Sequence, residues 1–303
     1  MHIAVTGGTG FVGRNLIEAL IQRGDRVTLI SRSAANKSIH AGLQHAVTWK
    51  ELEQDPSMLE GVDAIVNLAG ESINQRWTAA AKQRILQSRL DAAASIAALV
   101  DRLRRKPEVV INASGISIYG ASDNAAVDES SPHRLTDFLG TVVEQWEDAA
   151  DRIQASRLIK LRISVVLGNN GGAFPLMALP YRLFAGGRVG SGRQWLSWIH
   201  IEDIVCLIMF CIDNKDIQGP VNASSPEPVT NEEFGKTIGK AMGRPHWIPV
   251  PAFAMKLLFG EMSVLLLEGQ QALPNQAVKH GFHFLYPTLA AAAKDLVGSP
   301  AKS

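Results

Sequence analysis

The chain has 303 residues, of which 46% are hydrophobic and 19% are charged. These proportions are typical of folded globular proteins, so the composition excludes a disordered chain. With 30 basic and 29 acidic side chains, the formal net charge is +1. This balance excludes a global field that would recruit nucleic acid or an anionic membrane, so any anion site must be local.

The sequence contains no segment that is long and apolar enough to span a bilayer. The longest uninterrupted apolar stretch, residues 204–212, is far shorter than the roughly 18 to 20 residues required. The N-terminus also lacks the charged and apolar regions of a signal peptide, so we expect a cytoplasmic protein without a membrane partner. Cys206 and Cys211 lie in one predicted helix, and we interpret them as buried small side chains.

The first half of the chain alternates short apolar runs with longer amphipathic ones, a pattern typical of parallel strands joined by crossover helices. The predicted strands cover residues 2–6, 26–31, 46–49, 63–68, 108–114 and 157–163. The predicted helices cover residues 11–22, 79–104 and 137–153. The strands are nearly continuous in Val, Ile and Leu, which indicates a sheet covered on both faces. The sequence therefore predicts an α/β, Rossmann-type, doubly wound parallel sheet.

The second half is richer in glycine and proline. Residues 168–199 form a predicted inter-lobe segment, and a helix is expected over residues 202–212. From about Pro226 onward, prolines separate three predicted helical segments. We therefore expect a Rossmann domain over residues 1–222 and a smaller, mainly helical C-terminal lobe on the substrate side over residues 223–303.

A glycine-rich loop follows the first predicted strand and opens the first predicted helix. Gly7 can form the tight turn, Gly10 allows a pyrophosphate to approach the backbone, and Gly13 allows close packing of helix on strand. The helix N-terminus would add free N–H groups and the positive end of its dipole. A tight turn without a ligand is the alternative. The predicted pyrophosphate site comprises Thr6, Gly7, Gly8, Thr9, Gly10, Phe11, Val12 and Gly13.

The second predicted strand ends in Ser31, Arg32 and Ser33. An NAD site normally has an acidic side chain here, which accepts hydrogen bonds from the ribose hydroxyls and would repel a 2′-phosphate. The guanidinium of Arg32 can instead form a charge-assisted hydrogen bond to that phosphate. The sequence therefore predicts NADP(H) as the cofactor, with a solvated surface charge as the alternative for Arg32.

These motifs, together with the Asn67-Leu68-Ala69-Gly70 run, the Tyr119-Gly120 pair and residues 198–203, resemble the extended short-chain dehydrogenase/reductase superfamily. Within it, the chain is similar to the atypical "epimerase family" branch, which ends in a domain of unknown function. The segments that carry this closer likeness are residues 70–77, 82–89, 260–262 and 281–288. The resemblance covers nearly the whole chain.

The resemblance implies where a dinucleotide would lie. Ser31 and Arg32 would hold its adenosine end, with Trp49 and Lys50, at the end of the third strand, near the adenine. The ribose and nicotinamide would lie near residues further along the chain, namely Leu68, Ala69, Gly70, Glu71, Arg76 and Val165.

The catalytic pattern of the superfamily is missing. Its active members use a Ser or Thr before the Tyr-Gly pair and a Tyr-x-x-x-Lys on the next helix; these positions correspond here to Gly115, Leu139 and Val143. Tyr119 and Ser117 are the catalytic candidates, with Tyr119 as proton donor or, alternatively, packed beside the cofactor. Other polar groups on segments that face the same crevice are Glu71, Lys82 and Arg89.

Two further groups of residues have alternative interpretations. Arg182, Arg188 and Arg193 could neutralise a nucleotide diphosphate or form a solvated rim. His280 and His283 have a spacing compatible with metal binding but no convincing third ligand, so we predict no metal site.

We therefore expect an NADP(H)-dependent oxidoreductase or epimerase-like enzyme that acts on a small organic or nucleotide-sugar-like substrate. The alternative is a non-catalytic NADP(H)-binding protein with a regulatory or redox-sensing role. The retained phosphate loop together with the missing triad favours that alternative. The sequence gives no oligomeric state.

Overall fold

The computed structural model describes residues 1–33, 43, 45–122 and 125–298. Its strands, in chain order, are β1 (His2–Thr6), β2 (Arg26–Ser31), β3 (His45–Thr48), β4 (Ala64–Asn67), β5 (Val109–Gly115), β6 (Ala126–Val127), β7 (Leu158–Ile163), β8 (Val165–Gly168), β9 (Gly171–Gly172), β10 (Trp195–Leu196), β11 (Trp198–His200), β12 (Gly219–Ala223), β13 (Val229–Thr230) and β14 (Gln271–Ala272).

The α-helices, in the same order, are α1 (Phe11–Arg23), α2 (Trp49–Gln54), α3 (Ala79–Arg102), α4 (Phe138–Ala150), α5 (Phe174–Arg182), α6 (Ile201–Asp213), α7 (Asn231–Met242), α8 (Ala252–Phe259), α9 (Val264–Leu267), α10 (Asn275–Lys279) and α11 (Leu289–Gly298). Short 3₁₀ turns cover Pro56–Leu59, Ile116–Tyr119 and Gly260–Ser263.

Within the described ranges, seven strands form a parallel sheet in the order β12-β7-β5-β4-β1-β2-β3. The chain adds β2 and β3 on one side of β1 and then returns to place β4 on the other, so the strand order reverses at β1. The register pairs Thr6 with Asn67 and Asn67 with Asn112, which brings three carboxyl ends to one edge. Such a reversal point is where open α/β sheets bind ligands.

Both faces of the sheet are covered, as the apolar strands predict. On one face, α1 and α6 bury side chains such as Leu16 and Ile208 against the strands. On the other face, α3 and α4 bury Ile96 and Ala150. The Rossmann-type doubly wound fold is therefore confirmed. None of the helices in the described residues is long and apolar enough to cross a membrane.

The structure differs from the predicted elements in several places, of which three affect the main sheet and the C-terminal lobe. Trp49 was expected to end a strand, but it begins α2, because Thr48 and Glu51 form a capping box that starts a helix. The seventh strand, β12, was not predicted, since its first residues are Gly219 and Pro220. The predicted three C-terminal helical segments are also wrong, since α7 to α11 occupy the described part of that lobe.

The C-terminal lobe packs on the inter-lobe segment through α5, α7 and α11, which share a buried cluster that includes Phe174, Phe234 and Leu296. One buried carboxylate joins this lobe to the Rossmann domain. Asp203, in the first turn of α6, accepts hydrogen bonds from the backbone N–H groups of Leu285 (2.6 Å) and Tyr286 (3.0 Å). The boundary at residue 222 stays a prediction.

A buried ion pair lies between α4 and β7. Arg162 donates from Nε to Oε1 of Glu147 at 2.8 Å and from Nη2 to Oε2 at 2.9 Å, and Ser114 donates to Oε1 at 2.6 Å. Burial opposes ionisation of Glu147, but the hydrogen bonds from Arg162 outweigh it and hold the pKa of this carboxyl below its usual value. The pair therefore stays charged in the folded core.

We expect Glu147→Gln to lower the free energy of unfolding by about 3 to 5 kcal/mol, because it leaves the buried guanidinium of Arg162 without a counter-charge. Because the folded pKa of Glu147 is depressed, its stabilisation is present above the usual carboxyl pKa and is lost as pH falls through the lowered value. Denaturant unfolding as a function of pH measures both effects. Asp148→Asn, an exposed carboxylate on the same helix, is the matched control; an equal loss for both variants would contradict the assignment.

Candidate nucleotide-binding site

The loop between β1 and α1 packs tightly against the end of β4. Gly7 has φ +68°, and a Cβ added there would lie 2.5 Å from the carbonyl carbon and oxygen of Leu68. A Cβ at Gly13 would lie 2.3 Å from the carbonyl oxygen of Gly7. Both positions thus require glycine, since the backbone of the loop, the helix and β4 meet within van der Waals distance.

The N-terminus of α1 is open to an anion. Its N-cap, Gly10, has no side chain to accept the first N–H groups, and the first turn of α1 contains no acidic residue. Thr9 and Gly10 are exposed at the rim. Free N–H groups and a positive dipole end therefore face outward from the loop, as phosphate binding requires.

The other residues of the loop pack inward. A Cβ at Gly8 would meet the side chains of Ile17 and Leu29. Val12 is half-buried against the main core, and the ring of Phe11 lies against the glycines of the β8–β9 hairpin. Phe11 and Val12, which the sequence placed in the pyrophosphate site, thus have packing contacts besides any role of their N–H groups.

The carboxyl end of β2 presents a positive charge. Ser31 is buried and donates its hydroxyl hydrogen to the carbonyl oxygen of Ser33 at 2.7 Å. Arg32 is exposed, and its guanidinium makes no hydrogen bond or ion pair within the part of the chain that the structure describes. The register of β2 on β3 pairs Ser31 with Thr48, so Trp49 and Lys50 follow directly beside this end. Trp49 is half-buried and Lys50 is exposed.

Buried polar side chains tie together the carboxyl ends of β1, β4 and β5. Thr6 donates to Oδ1 of Asn67 at 2.6 Å, and Nδ2 of Asn67 donates to Oδ1 of Asn112 at 2.6 Å. The same Oδ1 of Asn67 accepts the backbone N–H of Ala69 at 3.3 Å. This chain of bonds fixes the start of the 68–70 segment. Asn112 was not predicted as a site residue, although a polar residue inside an apolar strand could have indicated it.

The segment after β4 is held against α3. The backbone N–H of Glu71 donates to Ser88 at 2.9 Å, and Nη1 of Arg89 donates to the carbonyl oxygens of Glu71 and Ile85. The carboxylate of Glu71 is partly exposed and accepts a bond from Gln75. Arg76 lies beyond it in an exposed turn.

Arg89 adds a second positive charge to this edge. A Cβ at Gly70 would lie 3.2 Å from its Cζ, which itself lies 5.1 Å from the ring centroid of Trp146. Burial lowers the pKa of Arg89 to about 10, so the group stays charged at neutral pH. No carboxylate lies within ion-pair distance of it among the described residues. The sequence named Arg89 as a polar group of the crevice but gave it no cofactor contact.

The positions of the missing triad do meet in space. A Cβ at Gly115 would lie 3.2 Å from Cγ2 of Val143. Val143 and Leu139 are 5% and 6% exposed. Leu139 shares a cluster with Trp77, and Met262 of the C-terminal lobe packs against it. Apolar packing therefore replaces the acid/base groups at these positions.

Tyr119 is held in the interior. Its hydroxyl donates to Oδ1 of Asn222 at 2.8 Å and accepts a bond from Nη1 of Arg162 at 2.8 Å. Burial raises the pKa of Tyr119 to about 12. Ser117, two residues earlier in the same 3₁₀ turn, is half-buried, and its hydroxyl has no partner in the described ranges. Catalytic roles for both stay predictions, but the geometry gives Tyr119 a competing structural role.

The sequence of this chain is similar to those of known protein families. Residues 3–223 match the NAD dependent epimerase/dehydratase family. The chain belongs to this family. Residues 250–296 match a domain of unknown function, as the sequence resemblance to the "epimerase family" branch anticipates.

Similar members of the epimerase/dehydratase family cover almost the full chain. "Epimerase family protein YfhF" from Bacillus subtilis is 41% identical over 299 residues, covering 98% of each chain. The crystal structure of human epimerase family protein SDR39U1 (isoform 2) with NADPH has a TM-score of 0.91 and 36% identity, covering 99% of this chain and 100% of that one. A nucleoside-diphosphate sugar epimerase from Corynebacterium glutamicum has a TM-score of 0.78 and 28% identity, covering 98% of this chain and 58% of that one.

The described residues contain no group of three His, Cys, Asp or Glu side chains that could hold a metal ion. His280 donates from Nδ1 to the carbonyl oxygen of Gln276 at 2.8 Å. Neither this residue nor His283 lies in a ligand cluster.

We expect Tyr119→Phe to lower the free energy of unfolding by about 1 to 3 kcal/mol, because it leaves Nη1 of Arg162 and Oδ1 of Asn222 without a buried partner. We expect nucleotide affinity to stay unchanged, since the hydroxyl lies in the interior network. Chemical unfolding and fluorescence titration with NADPH measure the two quantities. Tyr286→Phe, whose more exposed hydroxyl bonds Glu202, serves as control. A large loss of turnover without a loss of stability would instead assign Tyr119 to catalysis.

Proposed function

We propose that this chain is an NADP(H)-dependent oxidoreductase or epimerase-like enzyme that acts on a small organic or nucleotide-sugar-like substrate. The observation that carries the proposal is the exposed Arg32, which has no ion pair within the described residues and follows β2, the strand beside β1 and its uncapped helix N-terminus. No acidic side chain occupies residues 31–33, so nothing there repels a 2′-phosphate. The similar human protein, solved with NADPH, supports the same cofactor.

The residues present fit a dinucleotide. Gly7 and Gly13 keep the loop free of Cβ atoms where a side chain would collide with backbone, and α1 offers its first N–H groups to a pyrophosphate. Arg32 would hold the 2′-phosphate and Ser31 the adjacent ribose. The segment 68–70, fixed by Asn67, would line the second ribose, with Val165 near the nicotinamide. When bound, the nicotinamide supplies a hydride donor or acceptor.

The chain's own residues must supply the rest of the chemistry. Leu139 and Val143 are buried and Met262 packs against the cluster of Leu139, so this side of the site is apolar. A positioned general acid or base typically contributes about 10² to 10⁴ in rate, and no Tyr–Lys pair is available for it. We propose that the hydroxyl of Ser117 or the carboxylate of Glu71 donates or accepts the proton. The positive charge of Arg89 would stabilise a negatively charged substrate group bound beside it.

We expect Arg32→Ala to weaken NADPH binding about tenfold to a hundredfold and to leave NADH binding nearly unchanged, because only NADPH carries the phosphate that the guanidinium contacts. Fluorescence or calorimetric titration of both nucleotides measures this change.

The matched control is Arg26→Ala, which removes an exposed arginine from the opposite end of the same strand. It should leave both affinities unchanged. Equal affinity of the unaltered protein for NADPH and NADH would contradict the proposed cofactor.

A non-catalytic NADP(H)-binding protein with a regulatory or redox-sensing role is the second candidate. The buried, apolar character of Leu139 and Val143 at the positions of the missing acid/base pair favours it specifically. In that case cofactor binding would alter the contact between the lobes rather than serve turnover.

We expect the protein to oxidise NADPH over many turnovers with at least one member of a panel of aldehydes, ketones and nucleotide sugars. The Arg32→Ala variant identifies activity that belongs to this chain, because its rate at limiting NADPH should fall in proportion to its weakened affinity. Absence of turnover across the panel, with tight NADPH binding, would support the non-catalytic candidate.

A further inference from the structure

A strip of apolar side chains lies exposed on the inter-lobe segment and the C-terminal lobe. Its most exposed members are Leu257 (87%), Phe253 (73%), Leu258 (73%), Leu183 (68%) and Trp247 (67%). We call this surface the apolar strip, and its full set is Leu183, Phe184, Trp247, Ile248, Phe253, Leu257 and Leu258.

Backbone contacts join the two parts of the apolar strip. Nε1 of Trp247 donates to the carbonyl oxygen of Phe184 at 2.8 Å. The N–H groups of Trp247 and Ile248 both donate to the carbonyl oxygen of Gly186. The backbone of Val250 then forms hydrogen bonds with the backbone of Arg188 and Gly190, and α8 begins two residues later. The two segments are therefore held side by side, and they lead directly into α8.

The helix α8 is unusual for a surface helix. Its sequence, AFAMKLLF, is apolar on all sides except at Lys256, yet only Met255 is buried. A helix that is apolar all round is normally covered. At roughly 150 to 250 Å² for each aromatic side chain, the three partly exposed aromatic members alone contribute on the order of 400 Å². With its four aliphatic members, the apolar strip exceeds the roughly 300 to 600 Å² of the largest patch on a typical monomer. The surface therefore fits a partner with an apolar phase.

Basic side chains predominate in the segments that carry the apolar strip. Residues 169–201 and 234–260 contain seven of the 30 basic side chains and none of the 29 acidic ones. The guanidinium of Arg244 lies directly on the strip, 4.1 Å from the ring centroid of Phe184. Of the flanking carboxylates, Glu232 pairs with Lys236 and Glu261 with Lys82. Of these seven basic residues, six have no ion pair within the described ranges, namely Arg182, Arg188, Arg193, Lys240, Arg244 and Lys256.

The basic charge near the apolar strip favours one kind of binding partner over the others. A second copy docked on the same surface would bring like charges together across a two-fold axis. Nucleic acid would satisfy the arginines but would leave the aliphatic side chains of α8 in water. An anionic bilayer offers both an acyl boundary for Phe, Leu and Trp side chains and negative headgroups for the basic border. We propose that the apolar strip and its basic border bind the surface of an anionic lipid bilayer without spanning it.

The overall net charge of +1 conceals this arrangement. The expectation of no membrane partner rests on charges summed over the whole chain and on the absence of a spanning segment. Interfacial binding requires neither, because it depends on local charge within a Debye length and on a few exposed apolar side chains.

The test is cosedimentation of the full chain with vesicles of phosphatidylcholine alone or of equal parts phosphatidylcholine and phosphatidylglycerol. We expect binding to the anionic vesicles, weakened by salt, and at least about tenfold weaker binding to the neutral ones. Phe253→Ser combined with Leu257→Ser should lower the anionic partition coefficient about tenfold or more, as should Arg188→Glu combined with Lys256→Glu.

Matched controls lie outside the strip. Val278→Ser with Leu285→Ser removes two apolar side chains of 54% and 58% exposure, and Lys215→Glu reverses an exposed charge. These controls should bind as the unaltered chain does. Melting temperature and NADPH affinity, which should be unchanged in every variant, confirm that each one is folded.

Three outcomes would overturn the proposal. One is no partition onto anionic vesicles, and another is equal loss in the strip variants and the controls. The third is that the unaltered chain forms a dimer in analytical ultracentrifugation, that the Phe253 and Leu257 variant is monomeric, and that vesicle binding is absent. This result would assign the apolar strip to contact with a second copy.

Discussion

The close approach of two backbone segments, the β1–α1 loop and the end of β4, is the constraint on which the site depends. Gly7 lets the loop lie against Leu68, and Thr6, Asn67 and Asn112 lock three strand ends in register by side-chain hydrogen bonds. Buried amides are costly unless they are bonded, so this arrangement is either complete or strongly destabilised. The open N-terminus of α1 and the fixed 68–70 segment both follow from it.

The sequence predicts the framework well because apolar periodicity and glycine spacing are local signals. The six predicted strands, the long helix α3 and the loop all form near their expected bounds. The edge strand β12 escapes prediction because Gly219 and Pro220 are typical of a turn, and only pairing with β7 makes them a strand. The burial of Arg89 beside Trp146 and the network around Tyr119 depend on distant segments that no local pattern brings together.

The C-terminal lobe and the absent triad belong to one arrangement. Leu139, at the position that the sequence resemblance assigns to the superfamily's tyrosine, lies in a cluster against which Met262 and Val264 of the C-terminal lobe pack. Lys82 on α3 pairs with Glu261 beside them. The lobe therefore supplies part of the wall of the crevice. A polar acid/base group at residue 139 would have to be desolvated against these apolar side chains, which explains in physical terms why leucine is compatible there.

The hydrogen bonds that Asp203 accepts from the backbone of residues 285 and 286 limit how the chain can be divided. The two family matches end at residue 223 and begin at residue 250, which suggests separable modules. Yet this carboxylate is fully buried at the start of α6, and the N–H groups that satisfy it come from near the chain's far end. Removal of the residues after the first match would leave Asp203 without the N–H groups that bond it, so we expect the two matched regions to fold as one unit.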